Sequence, residues 1–124
     1  MDLGVWEGMF YSDIQKKYPE QYYNFWQEPD KYRPVNRKGE LFCQLKSRAV
    51  FTIRSLAKIH SNDEIIVVTH GAFLKTLISF FMQKALSEVW NGFPVNTGSR
   101  TIVEMNKHTS CIILPGDVSH LNSN

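Results

Sequence analysis

The sequence is short of cysteine and of net charge, and each shortage excludes a class of protein. Its 124 residues include two cysteines, Cys43 and Cys111, which lie far apart and show neither CxxC nor metal-ligand spacing. Free thiols in a cytoplasmic protein are the simplest interpretation. The formal net charge is +2, which is too small to indicate binding to nucleic acid. A short basic cluster of Arg33, Arg37 and Lys38 is more typical of a solvated loop.

Long hydrophobic runs are also absent. No apolar stretch reaches the roughly 18 residues of a membrane-spanning helix, and the N-terminus lacks the charged-then-apolar pattern of an export signal. There is no internal repeat and no low-complexity segment. Hydrophobic residues make up 43% of the chain and charged residues 21%, which is typical of a globular protein. We therefore expect one compact domain, residues 1–124, without a membrane partner.

The first half of the chain is predicted to be helical. Ser12 is expected to cap a short helix, and Pro19 to begin a second helix that ends before Pro29. The aromatic residues here are more typical of a packed lid or subdomain core than of a base-stacking surface, because basic residues are not interleaved with them. The longest helix is expected over residues 40–59, where apolar side chains recur on one face: Phe42, Leu45, Ala49, Ile53 and Leu56.

The stretch from Glu64 to Leu74 combines a strand-like and a helix-like pattern. Residues 65–68 are all β-branched and predict a strand buried on both faces in a parallel sheet, followed by a helix over 72–82. His70 and Gly71 stand where the strand gives way to the helix. Ligands of open α/β sheets bind at this edge, and the free N–H groups of a helix N-terminus suit an anion. A lone histidine here is more often a capping or hydrogen-bonded side chain.

The last part of the chain is predicted to contain further short elements. A helical stretch, a turn and two strands are expected at residues 86–90, 96–99, 101–105 and 109–114, with a hairpin connection at 106–108. Pro115 and Gly116 are expected to end the second strand. The order of helix, parallel-type strand and helix indicates a doubly wound α/β layer.

Five segments, in order, resemble the histidine phosphatase superfamily, which also contains the cofactor-dependent phosphoglycerate mutases. They are residues 2–8, similar to L-G-x-W-E-G; Gly39, Glu40 and Arg48, similar to G-E-S-x(n)-R with Leu41 in place of Ser; residues 66–71, similar to the strand and S-H-G of the second catalytic histidine; Asn96 before a strand; and residues 116–121, similar to N-D-x-x-H-L. The broad-specificity phosphatase branch is the most similar.

The resemblance implies a phosphoglycerate mutase-like three-layer α/β/α sandwich and phosphomonoester hydrolysis through a phosphohistidine. It implies that His70 is catalytic, and that the N–H groups of Gly71 and Ala72 bind the phosphate. The segment 11–37 is expected to be a lid or specificity insertion. The resemblance also implies a phosphorylated small molecule as partner, and it implies no metal or organic cofactor. Three further residues are expected in the substrate pocket: Glu7, Tyr11 and Asn96.

One part of the family pattern is missing. The sequence contains no Arg-His-Gly. The resemblance therefore implies that the chain lacks the nucleophilic histidine, the arginine clamps and the acid glutamate, together with the first central strand of the sandwich. Because that strand lies beside the one ending at His70, its loss would expose an apolar edge. We expect a chain that is inactive alone, and that is either poorly soluble or self-associates through this edge by strand pairing or domain swapping.

Three interpretations fit this pattern. The favoured one is the C-terminal part of a phosphatase, left by a shifted start codon, a pseudogene or artificial cutting. The second is a non-catalytic module that kept His70 and binds phosphate esters without turnover. The third is one half of a phosphatase whose Arg-His-Gly portion is a separate chain.

Overall fold

The computed structural model describes residues 1–106 and 109–121, which form a mixed α/β structure. Its regular elements are the helices α1 (Tyr11–Lys17), α2 (Pro19–Gln27), α3 (Phe42–Ile59) and α4 (Gly71–Phe81), and the strands β1 (Arg100–Met105) and β2 (Ser110–Asp117). Short 3-10 turns lie at Gly4–Trp6, Val35–Arg37, Leu86–Glu88 and Ser119–Leu121. Among the helices described, none combines the length and the hydropathy needed to cross a bilayer.

The first two helices follow the predicted order with one corrected boundary. Helix α1 is capped by Phe10 and not by Ser12. The carbonyl of Phe10 accepts hydrogen bonds from the N–H groups of Asp13 and Ile14, both at 3.0 Å, so the helix begins before Ser12 can cap it. Helix α2 begins at Pro19, as predicted, because proline fits a first helical position.

An aromatic cluster forms the core around α2. The ring centroid of Phe25 lies 5.6 Å from Trp6, 5.2 Å from Phe42 and 5.4 Å from Trp90. The indole N–H of Trp90 donates to the carbonyl of Phe25, which fixes a residue of the second half against the first. The aromatic residues of this region are therefore packed together in a core. A specificity role for residues 11–37 stays a prediction.

Helix α3 buries its predicted face at one end only. Phe42, Leu45 and Ala49 are fully buried against the aromatic cluster and α4. Towards the C-terminus Ile53 and Leu56 are half-buried, and Ile59 is exposed. The described residues supply no second layer over this end of the helix, so its apolar side chains face water.

The predicted buried strand at residues 65–68 is the main correction. These residues belong to no sheet, and within the described chain no backbone hydrogen bond involves residues 64–69. Their side chains are exposed by 41%, 94%, 42% and 92% in order. This alternation is that of an extended chain with two faces. The β-branched pattern predicts a strand, but burial needs a neighbouring strand and a covering layer, and the described residues provide neither.

The sheet observed is an antiparallel hairpin of β1 and β2. Val103 lies opposite Ile112, and the register shifts between Arg100 and Ile102. Strand β2 runs through Pro115 and Gly116, which were expected to end it. The irregular register accommodates a proline without an N–H, and the N–H of Gly116 donates to Oγ1 of Thr101 at 3.0 Å.

Of two further predicted connections, one differs from the prediction and the other is only partly within the described residues. The helical stretch expected at 86–90 is a single 3-10 turn, Leu86–Glu88. Pro94 has no N–H, so it cannot continue a helix by donating to the carbonyl of Trp90. In the hairpin connection predicted at 106–108, the N–H of Asn106 donates to the carbonyl of Thr109 at 2.9 Å, while residues 107 and 108 lie outside the described residues.

Candidate functional site

His70 is the N-cap residue of α4, with an extended backbone at φ −96° and ψ 157°. Its carbonyl accepts the N–H of Leu74 at 3.1 Å, but its imidazole makes no capping hydrogen bond. Within the described part of the chain, no hydrogen bond or ion pair involves the ring, and the residue is exposed. His70 therefore occupies the N-cap position without its imidazole capping the helix. The imidazole faces solvent at the start of a helix.

The first turn of α4 suits an anion. Helix α4 has 11 residues and no acidic side chain in its first turn. The N–H groups of Gly71 and Ala72 have no acceptor within the helix because they precede its first complete turn. Gly71 is exposed, and a Cβ atom there would meet nothing within 4 Å. Ala72 turns its methyl group towards the core. The helix dipole and these N–H groups attract negative charge beside His70.

Lys75, one turn into α4, is committed to a structural contact. Its Nζ donates to the carbonyl of Phe93 at 2.8 Å and to that of Trp90 at 3.4 Å. Burial lowers the pKa of Lys75. Lys75 thus donates to the carbonyl of Trp90, which cannot accept a hydrogen bond from Pro94 because proline has no N–H. Sequence reasoning did not identify this role, and Pro94 was the only signal for it.

Glu40 and Arg48 form a two-pronged ion pair. Nε of Arg48 lies 2.9 Å from Oε1 of Glu40, and Nη2 lies 2.9 Å from Oε2. Glu40 also accepts the N–H of Asp2 at 3.3 Å, and the Arg48 guanidinium lies 5.6 Å from the ring centre of Phe73. The G-E…R resemblance therefore corresponds to a contact that joins the N-terminal segment, α3 and α4. An open groove of about 620 Å³ lies beside this pair, and His70 does not line it.

The Glu40–Arg48 pair makes stability depend on pH. The hydrogen bond from Arg48 is the main cause that lowers the pKa of Glu40. A lowered carboxylate pKa stabilises the fold above the unfolded value of about 4.3, and this contribution is lost as the pH falls through the folded pKa. Because Arg48 is half exposed, we expect Glu40→Gln to lower the free energy of unfolding by about 1 kcal/mol at pH 7. Urea denaturation at several pH values measures this.

A double-mutant cycle with Arg48→Gln isolates the pair from other effects of each substitution. The single variants should each lose most of what the double variant loses. Equal destabilisation by Glu40→Gln at pH 7 and at pH 3 would show that the charge of Glu40 contributes nothing.

The hydrogen bonds and ring contacts described for the remaining candidate residues do not involve His70. Glu7 is exposed, and its N–H donates to the carbonyl of Gly4 at 3.1 Å. Tyr11 packs edge-on against Trp26, with ring centres 6.0 Å apart. Asn96 is exposed, and its carbonyl accepts the N–H of Ser99 at 3.0 Å. No hydrogen bond among the described residues joins these side chains to His70. Their place in a substrate pocket stays a prediction.

The closing segment 116–121 is held by polar contacts of its own. Asp117 accepts hydrogen bonds from the N–H and hydroxyl of Ser119 and from Nε of Arg100, at 3.2, 3.0 and 2.8 Å. The backbone hydrogen bond from Ser119 is the largest cause that lowers the pKa of Asp117. Nε2 of His120 lies 2.9 Å from the carbonyl of Gly98. This segment therefore fixes the turn that carries Asn96.

The family profile described as "Histidine phosphatase superfamily (branch 1)" matches residues 1–117. The chain belongs to the histidine phosphatase superfamily. The predicted α/β fold class is confirmed, because the structural neighbours of this chain have histidine phosphatase folds. Within the described residues of this histidine phosphatase chain, no group of three or more His, Cys, Asp or Glu side chains is placed to hold a metal ion.

Curated relatives of this histidine phosphatase chain include enzymes with different named substrates. It is 25% identical over 121 residues to Phosphoserine phosphatase 1 of Hydrogenobacter thermophilus, covering 98% of this chain and 56% of the relative. It is 33% identical over 89 residues to 6-phosphofructo-2-kinase/fructose-2,6-bisphosphatase of Gallus gallus, covering 72% of this chain and 18% of that protein.

Solved structures give a similar result. YhfR of Bacillus stearothermophilus superposes with a TM-score of 0.91 at 35% identity, covering 97% of this chain and 58% of that one. The alpha-ribazole phosphatase of Shigella flexneri superposes with a TM-score of 0.75 at 21% identity, covering 94% and 56%, which shows a shared fold. The chain thus spans little more than half the length of each of these two proteins.

Proposed function

We propose that this chain supplies the second catalytic histidine, His70, of a histidine phosphatase site that hydrolyses phosphomonoesters of small molecules through a phosphohistidine. The observation that carries the proposal is the unpaired, exposed imidazole of His70 at the N-terminus of α4, in a chain whose residues 1–117 match the family. The named phosphatase activities of the relatives support the same reaction class.

His70 and the start of α4 act on the phosphoryl group. The transferring group spreads negative charge over three oxygens, so fixed donors that face it stabilise the transition state. The imidazole of His70 donates to one oxygen, and the N–H groups of Gly71 and Ala72 donate to others. This part of the site binds and orients a phosphate. It forms no bond to phosphorus.

We propose that the chain is inactive alone, because the described residues do not offer the other groups that the reaction needs. Arg48 is paired with Glu40, and Lys75 binds backbone carbonyls, so neither clamps a phosphate at His70. His60 pairs with Asp63, and His120 with the carbonyl of Gly98, so neither is placed as a nucleophile. His108 lies outside the described residues, and the sequence contains no Arg-His-Gly.

The aromatic segment 11–37 is proposed to set substrate specificity. Tyr11 and Tyr23 are exposed on α1 and α2. Rings in this position suit a bulky or apolar leaving group.

The two free thiols, both exposed, fit a cytoplasmic location.

The test measures turnover and phosphate binding on the same protein. We expect the purified chain to hydrolyse 4-nitrophenyl phosphate no faster than its His70→Ala variant. We also expect inorganic phosphate to shift the imidazole resonances of His70 in an NMR titration and to leave those of His120 unchanged. Turnover that His70→Ala abolishes would contradict inactivity alone, and an unchanged His70 resonance would contradict phosphate binding.

A second candidate function is a phosphate-ester binding module without turnover. The observation in its favour is that Arg48 and Lys75 are both committed to structural contacts. This candidate predicts the same NMR shift. It differs in predicting that no added polypeptide restores activity.

A further inference from the structure

Lys75 holds a loop against the end of α4 that carries the proposed phosphate site. It lies four residues after Gly71, so the two residues share a face of the helix. Side chains on a helix lean towards its N-terminus. Nζ of Lys75 donates to the carbonyls of Phe93 and Trp90 at 2.8 and 3.4 Å, and no acidic side chain among the described residues acts on it. The loop 90–93 is therefore held beside the first turns of α4.

Trp90 connects this loop to the aromatic segment 11–37. Its indole N–H donates to the carbonyl of Phe25 on α2. Its ring centre lies 4.8 Å from that of Trp26, and the ring centre of Trp26 lies 6.0 Å from that of Tyr11. A continuous series of contacts therefore joins the lysine on α4 to the exposed ring of Tyr11.

We propose that Lys75 is a positioning residue that holds the aromatic segment 11–37 in register with the phosphate-binding end of α4, so that the site selects phosphomonoesters with an aromatic leaving group. This role rests on the proposed function, in which Gly71 binds the phosphoryl group and the ring of Tyr11 suits the leaving group. A ligand gains from both contacts only when its phosphoryl group and its ring reach them together. A fixed distance between the two contacts therefore raises selectivity without a new contact to the ligand.

Two simpler roles for Lys75 give different results. An ammonium group that only attracts anions acts to a similar extent on all ligands that carry the same charged group. A purely structural tether changes the free energy of unfolding and leaves relative affinities unchanged. A positioning role changes the ratio of affinities for ligands that differ only in the presence of a ring.

An NMR titration of the intact chain measures this ratio at the His70 imidazole. Phenylphosphonate and methylphosphonate carry the same charged group on a P–C bond that a phosphatase does not hydrolyse, and we expect phenylphosphonate to bind more tightly. Lys75→Met keeps the length of the side chain and removes its donors, so it should lower the affinity ratio by about fivefold, the contribution of one aromatic contact. Lys75→Arg keeps the charge and the donors and should retain most of the ratio.

Trp90→Phe breaks the same connection and leaves the charge of Lys75 in place. It keeps a ring beside Trp26 but removes the N–H that donates to the carbonyl of Phe25. We expect it to lower the affinity ratio as Lys75→Met does, and the double variant to lose little more than either single variant, because the two residues act in one path. Lys58→Met, which removes an exposed lysine from α3, is the matched control and should leave the ratio unchanged.

The outcomes separate the positioning role from the simpler ones. An equal loss of affinity for both phosphonates in Lys75→Met would show a purely electrostatic role and overturn the proposal. So would an unchanged ratio in Trp90→Phe, which decides the result if Lys75→Met does not fold, or a native chain that binds both phosphonates equally. A titration in which neither phosphonate shifts the His70 resonances would instead contradict the proposed function, and this role with it.

Discussion

Replacing Phe25 by alanine is expected to lower the free energy of unfolding by about 3–5 kcal/mol, the range for removing a large aromatic side chain from a core. Phe25 is 5% exposed and lies at the centre of the aromatic cluster. Its ring centre is within 5.6 Å of those of five others: Trp6, Trp26, Tyr32, Phe42 and Trp90. The substitution therefore removes buried area and leaves a cavity that rigid rings cannot refill. Urea denaturation followed by tryptophan fluorescence measures it.

Tyr23→Ala is the matched control for Phe25→Ala. Tyr23 lies two residues earlier on α2 and is 57% exposed, so its removal should change the free energy of unfolding by less than about 1 kcal/mol. Similar losses for the two variants would mean that helix propensity, and not the aromatic cluster, determines the stability of this region. If Phe25→Ala abolishes the transition entirely, Phe25→Leu should restore a measurable one with an intermediate midpoint.

Elements with local signals could be predicted from the sequence. Pro19 defines the start of α2 because its ring fixes a helical φ and its missing N–H is not needed there. The apolar spacing that includes Leu45 and Ala49 indicated the buried face of α3 because both residues meet the same core. The alternation in β1 likewise indicated a strand with one half-buried face.

Features that depend on distant residues could not be predicted in this way. The β-branched run at 65–68 indicates the environment in which these residues are stable, a sheet interior, but not whether neighbouring strands are present. The Glu40–Arg48 contact follows no helical spacing because Glu40 precedes α3. Lys75 binds a loop 15 to 18 residues away, which no periodic pattern encodes.

The candidate site was predictable in part. His70 and Gly71 lie at the start of α4, as expected, because a β-branched run followed by Thr-His-Gly marks the change from extended chain to helix. Glu7, Tyr11 and Asn96 came only from resemblance to a complete domain. No contact described for these three residues involves His70, so a common pocket stays a prediction.

Under the proposed function, adding a polypeptide that carries an Arg-His-Gly segment is expected to give phosphatase activity. The natural source is the part of the Bacillus stearothermophilus YhfR chain that this chain does not cover, because the two proteins superpose with a TM-score of 0.91 over the shared part. The family resemblance implies an Arg-His-Gly nucleophile that precedes the segments matched by this chain. Groups that act as a unit in catalysis are strongly non-additive, so we expect turnover of 4-nitrophenyl phosphate by the mixture to exceed that of either piece by at least about 1,000-fold.

A His70→Ala variant tests whether the restored activity depends on this chain. His70→Ala in the mixture should return turnover to the level of the separate pieces, because no other described histidine has a free imidazole at a helix N-terminus. His120→Gln is the matched control, since a glutamine amide can still donate to the carbonyl of Gly98, and it should leave turnover unchanged. Turnover that survives His70→Ala would assign the whole activity to the added piece. A stable mixed complex without turnover would favour the binding module, because that function needs the phosphate site at α4 and no nucleophile.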